Sequence, residues 1–350
     1  MQESSLASAM QSQRRREGRR WRLLLVCAVL LFICVVLDIA TGPSLLSPSA
    51  VVEALLQAVG MEVEVDTMTR AIVMDLRLPI ALMALVVGGA LGVGGAEMQT
   101  LLNNPMASPY TLGMAAAAGL GAALMLYCGG FGLDPHLAVP LGAFLFCMLA
   151  AGLLFALAML RHIGPEQLIL AGIALLFLFQ SLLSLVQFVS SPELSQQILF
   201  WLFGSLSKAT WTNLAITTAV TLLCVVLLLL DAWKLTALRL GEARARSLGV
   251  DVNRLRLKTL IVVAVMTATA TSFVGIIGFI GLVAPNIARM LAGEDQRFFL
   301  PLSFLAGALL LSAASILSKS LVPGALFPVG IVTAVVGVPF FFWLILTRKR

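Results

Sequence analysis

The chain has 350 residues, of which 60% are hydrophobic and only 11% are charged, and its mean hydropathy is +1.03. A soluble domain carries about 25% charged residues, so this composition excludes a water-soluble protein and predicts one whose solvent is lipid. Because a helical span needs about 20 residues, the length accommodates about ten spans with short connections.

The formal net charge of +6 comes from basic residues that gather in three places: residues 14–22, residues 234–258 and residues 348–350. Cytoplasmic loops of membrane proteins carry such an excess of Lys and Arg, with anionic lipid as a secondary partner. This placement argues against the alternative of a nucleic-acid-binding patch. The basic head before the apolar run 23–37 also fits a signal peptide, but no A-x-A site follows directly, so we predict an uncleaved first helix.

Apolar runs predict ten spans, at residues 21–40, 78–101, 112–129, 138–160, 167–189, 211–231, 257–274, 276–292, 300–318 and 328–347. An even number of spans puts both termini on the cytoplasmic side. Only Arg70, Arg77, Lys208 and Lys319 are then outside, against nineteen of the 23 basic residues inside, as the positive-inside rule expects. We assign 1–20 to a basic cytoplasmic tail, 21–347 to one transmembrane domain, and 348–350 to a basic cytoplasmic C-terminus.

The predicted fold class is therefore all-α, a polytopic transmembrane bundle whose ten spans divide into two sets of five. A repeat with an odd number of spans is inverted in the membrane. The Gly-rich stretches before Asn104-Pro105 and before Pro285-Asn286 are faintly alike, which favours two inverted five-helix halves.

Motifs for covalent chemistry are absent from the sequence. It has no G-x-x-x-x-G-K-[ST], H-E-x-x-H or G-x-S-x-G motif, and no Cys/His cluster. The two histidines, His136 and His162, both fall in predicted loops. We predict that the chain is not an enzyme and holds no metal or cofactor, so that energy for uphill transport comes from an ion gradient or from a partner.

Among the acidic residues we single out Glu97, about one turn from the cytoplasmic end of the second span. An ion-coupled secondary transporter would use such a carboxylate for coupling. We favour the other interpretation, a helix-end residue that reaches the cytosol or a partner subunit.

The fifth span carries an uncharged polar face, because Gln180, Ser184 and Gln187 follow i, i+4, i+7 spacing. One interpretation is a pathway that admits a large polar solute without holding it tightly. Hydrogen bonding between helices is the alternative, which such residues also supply.

The longest cytoplasmic segment is 231–258, and its mixed charge with Gly249 predicts two short helices joined by a turn. Most other loops are only a few residues long. An ordered and highly charged segment indicates a docking surface, and a solvated loop is the alternative.

Four ordered stretches resemble the signatures of FecCD-type permeases, the membrane subunits of type II ABC importers for iron–siderophores, haem and cobalamin. Residues 77–113 resemble R-L-P-R…G-A-x-L-x-x-x-G-x-x-x-Q…N-P-L-A-x-P…L-G, and GEARARSLGV resembles the loop that meets the ATPase. Residues 275–297 resemble G-x-x-x-F-I-G-L-x-x-P-H-x-x-R…D-H-R, and residues 327–346 the closing L-P-x-G-x-x-T-x-x-x-G-x-P-x-F helix. The family-motif positions are Pro79, Gly92, Gln99, Asn104, Pro105, Gly278, Pro285, Arg289 and Gly330.

The resemblance implies a homodimer or a heterodimer with a paralogue, in which the fifth span lines the pathway and gives Gln180, Ser184 and Gln187 their role. A separate ATPase subunit, which binds ATP and magnesium, would receive Glu242, Ala243, Ala245, Leu248 and Gly249. A periplasmic binding protein would dock onto Arg77 and Lys319, whose charges would steer association. The alternative for this pair is snorkelling at the membrane interface.

The sequence departs from the family pattern at four places: Ile80 replaces the second arginine of R-L-P-R, Asn286 and Gln296 replace motif histidines, and Ser108 replaces an Asp. Arg70 or Lys208 could compensate for Ile80. With no histidine in a predicted span, axial ligation of haem inside the membrane is disfavoured. The sequence therefore predicts an iron–siderophore permease of the bacterial inner membrane, with haem or cobalamin as alternative substrates. The rival classes are an ion-coupled transporter and an assembly protein without transport activity.

Overall fold

A computed structural model describes residues 2–42, 46–58, 60–61, 63, 65–161, 164–321 and 327–347. Within these ranges the chain forms fifteen α-helices and no strand. They are α1 (Gln2–Ala40), α2 (Pro48–Ala58), α3 (Thr67–Ala71), α4 (Leu78–Leu101), α5 (Met114–Tyr127), α6 (Pro135–Arg161), α7 (Pro165–Val189), α8 (Pro192–Leu202), α9 (Trp211–Leu230), α10 (Ala232–Leu238), α11 (Glu242–Ser247), α12 (Val252–Val274), α13 (Ile280–Ala292), α14 (Gln296–Leu321) and α15 (Val329–Thr347).

All ten predicted spans coincide with helices, and the predicted all-α bundle is confirmed. Among the described residues, seven helices are long and apolar enough to cross a membrane: α1, α4, α6, α7, α9, α12 and α14. The other three, α5, α13 and α15, are shorter apolar helices. The predicted tail 1–20 is continuous with the first span, since α1 begins at Gln2, and residues 348–350 lie outside the described residues.

Four further elements of the described chain are too short to be predicted as membrane spans. They are α2, α3, a π-helical turn over Ile72–Arg77 that leads directly into α4, and α8. Helix α2 and the π-helical turn form a small cap, because Val51 and Ala54 of α2 and Val73 of the turn pack with Ile39 of α1 and Ala81 of α4. This cap encloses the end of α1.

The two ends of the bundle are identified by ion pairs between α1 and α14. Arg20 pairs with Asp295 just before α14 at 3.4 Å, whereas Asp38 pairs with Lys319 near the end of α14 at 2.8 Å. The two helices are therefore parallel. We call the end with Arg20 and Asp295 the basic end, and the end with Asp38 and Lys319 the opposite end.

The helix contacts follow a two-fold pattern between the halves. Helix α4 of the first half packs against α14, and its counterpart α12 of the second half packs against α6. Likewise α5 packs against α6 and α13 against α14, while α4 and α12 touch each other. The short helices α5 and α13 occupy the same rank in each half. This pattern supports the predicted inverted five-helix halves.

Glycines bring α4 into backbone contact with its neighbours. A Cβ atom added to Gly88 or Gly92 would overlap the backbone of Gly307 or Ser303 in α14, and one added to Gly95 would overlap Gly281 in α13. Small residues permit this approach where lipid offers no hydrophobic drive between helices. Helix α4 is consequently the buried axis of the fold, while α7 lies at its edge and is mostly exposed.

We expect Gly92→Ala to destabilise the protein by about 1–3 kcal/mol, because the added methyl group meets the Ser303 carbonyl and forces α4 from α14. The measurement is thermal unfolding of the purified protein in detergent. The matched control is Gly152→Ala in α6, an exposed helical glycine with open space around its Cβ position. Equal unfolding midpoints for the two variants would contradict the backbone contact.

Candidate functional site

The polar face of α7 is uncovered in the single chain. Gln180 and Ser184 are exposed and Gln187 is half-buried, while Phe179 and Leu183 face the bundle. The Ser184 hydroxyl donates to the carbonyl oxygen of Gln180 in its own helix, at 3.0 Å. The predicted polar face thus exists, and it does not pack against another helix of this chain.

Beside α7 lies a cavity of about 250 Å³. Its wall is formed by the 108–111 turn, Leu176 of α7 and the 278–282 stretch that leads into α13. The Tyr110 hydroxyl lies 3.1 Å from that of Thr271 in α12 and accepts a hydrogen bond from the Ile277 amide at 3.4 Å. The non-helical breaks before α5 and before α13 are therefore held together beside Leu176 of α7, one helical turn before Gln180.

The segment 231–258 contains two short helices, α10 and α11, as its sequence predicts. Ala245 is fully buried and anchors α11, whereas Ala243, Leu248 and Gly249 are exposed at the basic end. Gly249 has a φ of +82°, a conformation that L side chains rarely adopt. Glu242 pairs with Arg256 of α12 and, at 3.6 Å, with Arg246 of α11. An ordered, partly exposed surface results, in place of a solvated loop.

Asp231 ties the two ends of this segment together. It lies just past α9, and its carboxylate accepts from Lys234 at 2.6 Å and also from Lys258 in α12. Burial by itself raises the pKa of Asp231, but the hydrogen bonds and charges of the two lysines outweigh it and hold that pKa below the ordinary 3.8. The ionised carboxylate therefore stabilises the fold.

Because the folded-state pKa of Asp231 is lowered, its stabilisation is present above the unfolded pKa and is lost as pH falls through the folded one. We expect Asp231→Asn to unfold at a lower temperature than wild type at neutral pH, and the difference to shrink in strongly acidic buffer. Thermal unfolding across a pH series measures it. A difference that stayed constant down to acid pH would contradict the ionic tether.

Family-motif residues distant in sequence converge at the basic end. Arg289 of α13 donates to Gln99 Oε1 of α4 at 2.7 Å and to Asn286 Oδ1 at 3.0 Å. Glu294 Oε1 lies 3.3 Å from Arg289 Nε and also pairs with Arg239, which follows α10. One carboxylate oxygen therefore joins the 231–258 segment to α13, and Arg289 extends the network to α4.

The two histidine replacements belong to the same region. The Asn286 amide donates to the Pro105 carbonyl at 3.3 Å and to the Leu282 carbonyl at 2.8 Å. The Gln296 side chain donates to Thr100 Oγ1 at 2.8 Å, and its backbone amide donates to Thr236 Oγ1 of α10 at 3.1 Å. At both positions, where the family motif has a histidine, an amide side chain makes hydrogen bonds and does not titrate.

The remaining motif residues are structural in this geometry. The Asn104 side chain accepts from the Met106 amide at 2.9 Å and so shapes the turn after α4. Gly330 of α15 leaves no room for a Cβ beside the Phe203 and Ile276 carbonyls. Pro79 lies in the first turn of α4, Pro285 lies inside α13, and Gly278 lines the 250 Å³ cavity.

The favoured interpretation of Glu97 was wrong. Its side chain is fully buried in α4, so it reaches neither the cytosol nor a partner subunit. Neither carboxyl oxygen has a hydrogen-bond partner among the described residues. The sequence reading treated the end of α4 as a free helix end, but α13, α14 and the 231–258 segment cover it.

The two predicted docking residues have internal partners at the opposite end. Arg77 is buried and donates to the carbonyls of Ile39 and Ala40, both at 2.9 Å. Lys319 pairs with Asp38, which is fully buried and which sequence reasoning overlooked although it falls within the first predicted span. Docking through Arg77 and Lys319 stays a prediction, and the internal contacts of this pair leave Arg70 and Lys208 as the exposed candidates for it. The structure gives Arg77 and Lys319 an internal role that also differs from snorkelling.

Among the described residues, no group of three or more His, Cys, Asp and Glu side chains could hold a metal ion. His136 lies in the first turn of α6 and is exposed, so its placement in a loop was wrong: the helix begins at 135, three residues before the predicted 138. His162 lies outside the described residues.

We expect the effects of Arg239→Gln and Glu294→Gln to be non-additive, since each variant breaks the same ion pair. A double-mutant cycle on thermal unfolding measures the coupling energy, which is about 0.5–3 kcal/mol for residues in contact. We expect a value near the lower end of this range, because the Glu294 side chain is 43% exposed. The control cycle is Asp295→Asn with Arg297→Gln, whose arginine is 65% exposed and for which we expect about 0–1 kcal/mol. Additive effects at Arg239 and Glu294 would refute the link.

The model of the FecCD transport family matches residues 30–347. The hemin transport system permease protein of Yersinia pestis is 38% identical over 79% of this chain and 84% of its own length. The vitamin B12 import system permease protein of Vibrio vulnificus is 33% identical over 94% and 95%. The Fe(3+)-citrate import system permease protein of Bacillus subtilis is 33% identical over 97% and 99%.

Among solved structures, the chain matches an ABC transporter assigned to the metal-chelate type, in an inward-facing conformation. The TM-score is 0.82 and the identity 30%, over 93% of this chain and 98% of the other. The PsaBC structure from Streptococcus pneumoniae, at 20% identity and a TM-score of 0.50 over 76% and 90%, shows likeness of fold alone.

Proposed function

This chain belongs to the FecCD transport family and is a multi-pass permease of an ABC importer, and we propose that its substrate is an iron–siderophore complex. The observation that carries this proposal is the uncharged polar face of α7. Gln180, Ser184 and Gln187 offer amide and hydroxyl groups on the exposed side of α7, without a charge or a histidine, and the same helix borders the 250 Å³ cavity through Leu176. Such a surface suits a large polar chelate that must pass without tight binding.

Hemin is the second candidate substrate. The relative from Yersinia pestis transports hemin by its name, and Phe177 and Phe188 are exposed on α7 near the polar residues, where they could contact a flat apolar ring. The described spans provide no buried histidine for axial ligation, which favours the siderophore.

The uncovered face of α7 also supports pairing with a second permease subunit, either a copy of this chain or a paralogue. An exposed Gln180 facing lipid would leave amide groups without hydrogen-bond partners. A second subunit on this side would enclose the polar face around a shared pathway. We therefore propose that the pathway lies between two permease subunits.

At the basic end, we propose that a separate ATPase subunit receives Ala243, Leu248 and Gly249 of the 231–258 segment. The surface is exposed and ordered, and the Glu294 bridge joins the segment to α13. ATP and magnesium would belong to that partner. This end would face the cytoplasm of a bacterial cell and the opposite end the periplasm, in agreement with the distribution of basic residues.

At the opposite end, we propose that a periplasmic binding protein docks onto Arg70 and Lys208. Both side chains are exposed, whereas Arg77 and Lys319 are engaged inside the chain. We expect Arg70→Glu to slow association, with an effect that weakens at high salt. Surface-bound permease with the binding protein in solution measures this rate, and Arg19→Glu at the basic end is the control.

Transport by the reconstituted complex decides between the substrates. The permease, its ATPase and its binding protein in proteoliposomes should import an iron–siderophore with ATP and without an ion gradient. Uptake of hemin or cobalamin in its place would overturn the siderophore proposal. ATP-independent uptake that a protonophore abolishes would overturn the importer mechanism, and the buried Glu97 would then be the residue to test.

We expect Gly249→Trp to uncouple ATP hydrolysis from uptake, because an indole at φ +82° distorts the exposed turn after α11. Uptake should fall to background in proteoliposomes while the chain still inserts and the ATPase still hydrolyses ATP. The control is Gly18→Trp, at an exposed glycine of α1 with open space around it. Unchanged uptake by the Gly249→Trp variant would contradict the proposed contact with the ATPase.

A further inference from the structure

A second cavity, of about 230 Å³, lies at the basic end and takes no part in the pathway described above. It is bounded by the last turns of α6, the start of α7, the helix α11 and the first turns of α12. At this level the apolar helices give way to charged residues, as they do at the headgroup region of a bilayer. We propose that this cavity binds the headgroup of an anionic phospholipid.

The wall of the cavity has two chemically distinct sides. Phe155, Ala158 and Met159 of α6, with Leu257 and Leu260 of α12, form the apolar side. Arg246, Arg256 and Asn253 form the polar side together with Glu242. A phospholipid combines the matching groups, a phosphate and glycerol next to an acyl chain.

The charges on the polar side favour an anion. Two guanidinium groups face one carboxylate, so the lining carries a net positive charge. Arg256 pairs with Glu242 through Nη2, and its buried Nε has no hydrogen-bond partner among the described residues. The Arg246 guanidinium is 60% exposed and lies 3.6 Å from Glu242. A phosphate oxygen would accept from these donors in a charge-assisted hydrogen bond.

The outer surface of α6 leads to the cavity. Met148, Phe155 and Met159 follow i, i+7, i+11 spacing, so they lie on one apolar face of the helix. Phe155 and Met159 line the cavity, and Met159 is 54% exposed at its rim. An acyl chain could lie along this face while its phosphate enters the polar side.

The site touches α11 on a different face from the proposed ATPase contact. Glu242 and Arg246 are separated by one helical turn and face the cavity, whereas Ala243 and Leu248 are exposed elsewhere. A lipid bound here would brace α11 against α6 and α12 independently of the ATPase. The site would therefore make the position of α11 sensitive to the lipid composition of the membrane.

The test is binding of dioleoyl phosphatidylglycerol to the purified full chain in detergent, followed by native mass spectrometry. We expect bound phosphatidylglycerol but not dioleoyl phosphatidylcholine. The double variant Arg246→Gln, Arg256→Gln should bind about tenfold more weakly, a loss of about 1.4 kcal/mol. Arg244→Gln is the matched control, since Arg244 is exposed on the same helix outside the cavity lining, and it should bind as wild type does.

Ala158→Trp keeps every charge and fills the apolar side, so it should also reduce binding in protein that elutes as a folded species. Glycerol phosphate, which has the phosphate without acyl chains, should not compete at concentrations equal to those of the lipid. Equal retention of phosphatidylglycerol by wild type, the double variant and Ala158→Trp would overturn the proposal. So would equal binding of phosphatidylcholine, or competition by glycerol phosphate alone.

Discussion

The close approach of α4 to α13 and α14 is the constraint on which the rest of the structure depends. Gly88, Gly92 and Gly95 leave no room for side chains between these backbones, and neighbouring helices in lipid gain their stability from such contact rather than from exclusion of water. With α4 in this position, Gln99 meets Arg289 of α13 and Thr100 meets Gln296 of α14. The close packing of α4 against α13 and α14 therefore fixes the positions of these polar groups at the basic end.

The 231–258 segment is attached to these packed helices by ion pairs. Asp231 holds its two ends together, Glu242 joins α11 to α12, and Glu294 joins Arg239 to α13. A displacement of α10 or α11 is therefore passed to helices that border the breaks before α5 and α13. Helix α7 meets the break before α5 at Leu176, and its polar face is exposed. The closely packed helices and the exposed face of α7 are therefore near each other.

The fold was largely predictable because lipid imposes span lengths that a sequence displays directly. Predicted 78–101 coincides with α4, and Gly249 marked the turn after α11. The sequence did not show which charged side chains are buried. Glu97 and Asp38 look like residues near helix ends, and only the packing of distant helices encloses them. Arg77 and Lys319 likewise look like surface charges, since their partners Ile39 and Asp38 lie far away in the chain. Short helices such as α2 carry too few residues to be told from loops.

The Asp38–Lys319 pair has a consequence for biosynthesis. Its two residues are separated by 281 positions, and translation proceeds at about 5–20 residues per second. The Asp38 carboxylate must therefore wait roughly tens of seconds before its cation has been synthesised. Helix α1 is made first, yet its C-terminal end is among the last parts of the protein to reach its final environment.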